Sequence, residues 1–149
     1  MIESFENARE ELKRIDHLIY VTLKYTRTVD VLLSIIERMV NSYEFVIESL
    51  LKKAVSEGKI EMPDNPIAKA NTIKELYSSK TFQDRINKYL LFRKLRRVEY
   101  DKINEFRRHV TMITEVDDEK IEVNIDSITE DFHKLKSFLE NIEKIIKND

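Results

Sequence analysis

Arginines crowd around one histidine in RRVEYDKINEFRRHVTM, residues 96–112, and three kinds of chemistry fit those residue types. An imidazole beside cations can move a proton on a phosphodiester, which makes Lys102, Arg108 and His109 the candidate catalytic group. Guanidinium groups can also hold phosphates without reacting. Arg93, Arg96 and Arg97 stand at i, i+3 and i+4, one face of a helix, and Arg107 and Arg108 follow. The third reading is a solvated face whose charges pair within the molecule. Residues 93–108 carry seven bases against three acids, a balance of +4, while residues 115–149 carry eleven acids and five lysines, a balance of -6.

A second cluster lies in DHLIYVTLKYTRTVD, residues 16–30, where Tyr20, Tyr25, Arg27 and Asp30 are the candidate lining of a small-ligand or nucleotide pocket. Arg27 and Asp30 are three apart and would pair if the helix continued there. The alternative is that Tyr20 and Tyr25 are partly buried with their hydroxyls at the surface. No metal site is expected. Glu130 stands three before His133, but a second such motif is missing, and Lys13, Arg14, Arg107 and Arg108 place positive charge beside the other histidines. One glycine leaves no phosphate-cradling loop, and no cofactor is implied.

These residues need elements to position them. Phe5, Ala8, Leu12, Ile15, Ile19 and Leu23 recur at helical spacing and predict a first helix over 3–24. KYTRTVD, residues 24–30, either breaks it, with Thr26 or Thr28 as N-cap, or, having no Gly or Pro, lets a single helix run through. A second helix follows over 29–57 and ends at Gly58, whose type suits a left-handed C′ residue. Its apolar residues cover a wide arc, which implies a central position or a second copy of the chain. GKIEMPDNP, residues 58–66, is a linker. Asn65 caps and Pro66 opens a third helix over 66–79. Thr81 caps a long fourth helix over 82–114, with Leu95, Ile103, Phe106, Val110 and Ile113 on its inner face. In 115–126, Ile121, Val123 and Ile125 alternate with polar residues, as in an extended segment that needs a pairing partner or packs as a loop. Ser127 and Glu130 form a capping box for a last helix over 128–147.

The chain has 149 residues, 42% hydrophobic and 36% charged, with net charge -2, one Gly, two Pro and no Cys. That composition predicts one all-α domain over 1–149: an antiparallel bundle of about five helices, a four-helix up-and-down core plus a short helix. Disulfides and thiolate chemistry are excluded. No leader-like or membrane-spanning apolar run is present, so the expectation is a cytoplasmic protein away from membranes.

KYTRTVDVLLSIIERMVNSYEFVIESLLKKA and the order of helices around it resemble the HEPN (higher eukaryotes and prokaryotes nucleotide-binding) group of small helical bundles, near its archaeal-type members. The resemblance implies a homodimer, and in active members a ribonuclease site made by an Arg with four to six residues between it and a His. Before His109 those positions hold Asn104, Ile103 and Lys102. The leading expectation is therefore a non-enzymatic, homodimeric interaction module. The alternatives are a nucleic-acid- or nucleotide-binding bundle, with Tyr25 or Tyr100 stacking on a base and a nucleotidyltransferase as partner, and a divergent ribonuclease centred on Lys102, Arg108 and His109.

Overall fold

The computed structural model describes residues 1–148. Helix α1 comprises Ile2–His17, a π-helical turn at Leu18–Thr22, and Leu23–Tyr25. The π turn has a reason in the spacing. Ile15, Ile19 and Leu23 are each four apart, and in a regular helix that spacing drifts by about 40° per step. The wider turn absorbs the drift, and all three side chains stay buried. The helix stops where expected, and Thr28 caps the next one by accepting from the Val31 N–H at 3.3 Å.

Helix α2, Val29–Ser56, is the centre of the fold. Its wide apolar arc is covered by α1, by α3 (Pro66–Leu76), by α4 (Lys80–Leu95), by α5 (Ile125–Lys147) and by a strand, all of this chain. A second copy is not needed to cover it. Two small residues let α1 approach closely: the Ser42 and Ser49 hydroxyls donate to the Ala8 and Met1 carbonyls at 3.1 and 2.6 Å. Helix α2 ends as its glycine predicts. Gly58 has φ +73, and the Gly58 and Lys59 N–H groups donate to the Val55 and Ala54 carbonyls, each at 3.0 Å.

The all-α expectation is wrong. Among the described residues five helices are joined by a three-stranded antiparallel sheet in the order β1-β2-β3: Tyr100–Ile103, Thr111–Val116 and Glu119–Asn124. The fourth helix does not reach residue 114; it ends at Leu95. Val110, Met112, Thr114 and Val116 are all buried, a period of two that a helix cannot bury on one face. Asp117 and Asp118, at φ 51 and 67, close the β2–β3 hairpin with the positive φ pair that matches strand twist. The alternation through Ile121 and Val123 is thus a strand paired with β2 in the same chain, while Ile125 already belongs to the last helix. The Arg/His cluster that the sequence places at the end of the fourth helix lies instead on a strand, a loop and a strand.

Two caps also differ. Ser79, not Thr81, caps α4, accepting from the Phe82 N–H at 3.3 Å. The last helix starts at 125, directly out of β3, with Asn124 and Ser127 forming the capping box. Asn65 and Pro66 open α3 as predicted. No described helix is long and apolar enough to cross a membrane.

Candidate functional site

The two clusters singled out in the sequence meet at one corner of the molecule. The meeting is made by the loop 104–110 between β1 and β2, folded against the turn between α1 and α2. The Phe106 N–H donates to the Arg27 carbonyl at 2.6 Å, and the Glu105 carboxylate accepts from the Val29 N–H at 3.0 Å. Glu105 therefore sits on the N-terminus of α2, where unpaired N–H groups and the helix dipole favour an anion. It also pairs with Lys102 at 3.4 Å.

The loop is built on strained backbone. Asn104 and Phe106 have φ 56 and 67, the left-handed region that costs a residue with a Cβ about 1–2 kcal/mol. Internal bonds hold it: the Arg107 N–H donates to the Asn104 carbonyl and the Val110 N–H to the Arg107 carbonyl, each at 3.0 Å. The Thr111 hydroxyl donates to the His109 carbonyl at 2.8 Å. The outcome is an aromatic ring held out to water. Phe106 is 75% exposed, beside a turn whose Tyr25 is 85% exposed, and Ile103 at the end of β1 is exposed as well.

Tyr20, Arg27 and Arg108 share a cleft of about 320 Å³ next to this loop, with Lys24 and Asp126 on its walls. The π turn swings Tyr20 to α5, where its hydroxyl lies 3.1 Å from His133 Nε2 and its ring meets Phe132 edge-on. Arg108 is bound to Asp126 at 2.7 Å. Arg27 is left with a buried Nε that has no hydrogen-bond partner. Arg27 and Asp30 form no ion pair, because the helix breaks between them.

The arginine face of residues 93–97 is largely spent inside the chain. Arg93 binds Glu44 at 2.9 Å and Arg96 binds Glu37 at 3.3 Å, both on α2, while Lys94 reaches Asp117 at 2.5 Å. Arg97 lies beyond the end of α4 and stays exposed, as does Arg107. Tyr89 donates to the same Glu44 at 2.8 Å; burial and that carboxylate hold its hydroxyl far above the usual phenol range.

No described hydrogen bond or ion pair joins the side chains of Lys102, Arg108 and His109 to one another. Lys102 is on β1 and engaged by Glu105, Arg108 is engaged by Asp126, and the exposed imidazole of His109 makes no hydrogen bond or ion pair. Of the Glu-x-x-His spacing, Glu130 bonds Lys134 at 3.2 Å and His133 faces Tyr20.

Reading the sequence alone missed the two residues that make the corner, Glu105 and Phe106. Its spacing places Phe106 on a buried helix face, whereas the structure exposes it. The signal that was present is the alternation from Val110 to Val116, which ends the helix early and leaves 104–110 as a loop. No family model, curated protein or solved structure matches this chain.

Proposed function

We propose that the chain is a non-enzymatic interaction module that works as a homodimer, with the Tyr25–Phe106 corner as its contact surface. The observation that carries this reading is Phe106, presented to solvent on left-handed backbone and pinned to Arg27 by its own N–H. A large aromatic side chain held exposed at a conformational cost serves no purpose in the isolated fold. With Tyr25 and Ile103 it forms an exposed apolar group of the kind that partners cover, and aromatic and arginine side chains are the usual anchors of interfaces.

The charges favour a second copy of the same chain. The segments that make the corner, the turn 24–30 and the stretch 101–108, carry Lys24, Arg27, Lys102, Arg107 and Arg108 with Asp30, Asp101 and Glu105, and Asp126 is bonded to Arg108. So even a mixture lets the surface face itself across a two-fold axis, where a strongly basic one would repel its copy. It also weakens the nucleic-acid reading, whose attraction depends on an excess of positive charge. The uncommitted Nε of Arg27 in the Tyr20–Arg108 cleft is the one observation on the side of a nucleotide phosphate. A nucleotidyltransferase partner belongs to that second reading.

The open edge of β3 is the competing place for a second copy. A two-fold axis through Ile121 would set Lys120 opposite Glu122 of the other copy, which is a favourable pairing. Sedimentation of the wild-type protein, F106A, the double variant Y25A/F106A and K120E tests these readings together. The expected result is a wild-type dimer that becomes monomeric in the double variant and is unchanged in K120E. A wild-type monomer at tens of micromolar, or a dimer lost only in K120E, would refute the corner as contact surface. Adding a labelled single-stranded RNA at low and moderate salt tests the second reading. A complex at low salt that dissolves as salt rises would assign the corner to nucleic acid instead.

A further inference from the structure

Beside the groove between α4 and α5, the molecule carries a buried cation with no carboxylate in contact. Arg85 on α4 is 9% exposed, lies within 4.0 Å of no carboxylate, and has a buried Nη1 without a hydrogen-bond partner. Its neighbours do not resolve this. The buried Tyr43 hydroxyl faces Arg85 without reaching hydrogen-bond geometry, and burial pushes it up to about 12 although Arg85 opposes that shift; a neutral hydroxyl does not balance the charge. Asp131 pairs with Lys88 at 3.7 Å instead, and burial pushes its carboxyl up in spite of Lys88 and Arg85. An arginine cannot shed its charge, so a guanidinium removed from water needs an anion or a full set of acceptors.

The surface that Arg85 retains opens onto a groove of about 580 Å³ between α4 and α5. Its walls include the Phe138 side chain and the polar groups of Thr81, Ser137 and Asn141. Other charges along it are already used: Lys134 is bonded to Glu130, and Asp126 to Arg108. Arg85 is therefore the uncommitted charge in a groove of the size that holds a small organic molecule.

We propose that this groove is a binding site for a small organic carboxylate, with Arg85 as the anion receptor and the apolar parts of the groove wall as the surface for an apolar body. The class follows from the charges. One planar guanidinium matches one carboxylate in a two-pronged pair, and the single charges cancel. A phosphate dianion would bring a second negative charge toward Glu130 and Asp126, with no second free cation to meet it. Hydroxyl and amide groups along the wall can bond polar substituents of the ligand.

Titration calorimetry with benzoate, benzamide and inorganic phosphate tests the site, using the full chain and the variants R85M and R85K. The wild-type protein is expected to bind benzoate saturably, and benzamide about 10- to 100-fold more weakly, the usual worth of a charge-assisted hydrogen bond expressed as affinity. R85M is expected to lose benzoate by a similar factor while folding as well as the wild type, because an uncompensated charge has been replaced by an apolar group of like size. R85K keeps the charge and loses the fork, so its affinity falls between the two. Equal binding of benzamide, equal binding by R85M, or no saturable benzoate binding would overturn the proposal. So would a preference for phosphate. An R85M chain that failed to fold while R85K bound benzoate like the wild type would also overturn it, since Arg85 would then be a structural cation. Asp126 borders both places, but Arg85 lies on α4 and the corner variants Tyr25 and Phe106 on other elements, so the two tests can fail separately.

Discussion

Glu105→Ala tests whether one carboxylate holds the corner together. Glu105 caps α2 from another part of the chain, accepting the Val29 N–H at 3.0 Å with its side chain only 25% exposed. Losing a side-chain cap costs about 1 kcal/mol, and losing a charge at a helix N-terminus costs a further ~0.3–1 kcal/mol. The ion pair to Lys102 is half-exposed on the lysine side and adds little. The expected loss is about 1–2 kcal/mol, which for a chain of this size moves the urea midpoint down by roughly 0.5–1 M. Glu105→Gln separates the two contributions, since an amide oxygen can still accept the Val29 N–H but carries no charge. Its loss should be about half as large and should shrink in high salt, whereas the remaining difference to Glu105→Ala should not. Urea unfolding followed by far-ultraviolet circular dichroism gives all three midpoints. If the capping contact matters to function, the alanine variant also weakens the dimer with Phe106 intact. A Glu105→Ala midpoint equal to the wild type at both salt concentrations would refute the argument.

Asp118→Gly removes a Cβ from a position at φ 67 in the β2–β3 turn and should stabilise the protein by about 0.5–1 kcal/mol, read as a raised urea midpoint. Gly58→Ala should cost about 1 kcal/mol although nothing lies within 4 Å of the added methyl, because φ +73 is the obstacle rather than space. Asp131 is held above the ordinary carboxylate range by burial. A carboxyl raised on folding binds its proton more tightly in the folded state. Its contribution is therefore full below the unfolded value and is lost as pH rises through the raised one. Thermal melts of Asp131→Asn across that interval should lack this decline, and a decline of the same size in the variant would assign it to another group.

Much of the helical framework was legible because its signals are local. Asn65 and Pro66, Thr28 and Gly58 act on their own backbone within a few residues, and their caps appear where the sequence places them. The stripe on α2 was equally legible, including its breadth, but breadth alone could not distinguish a central helix from a dimer face. The segment 96–116 was misread for a physical reason. Leu95, Ile103, Phe106, Val110 and Ile113 fall near helical spacing, and strands of four and six residues offer too few positions for a period of two to outweigh it. Ser127 and Glu130 made a good capping box on paper, yet β3 delivers the chain to α5 three residues earlier, and Asn124 takes the role.

The sequence by itself determined the mainly helical character, the linker, most helix starts and the excess of charge, since periodicity, capping and composition do not depend on distant partners. It also listed Arg27 and the basic residues around His109 as separate clusters. Only the tertiary structure decided that these meet, that Arg93 and Arg96 turn inward to Glu44 and Glu37, and that Phe106 faces water. It alone isolated Arg85. Whether a charge is paired depends on which helices lie against each other, and a backbone in the left-handed region is held there by contacts from remote parts of the chain. Neither is written in the spacing of neighbouring residues.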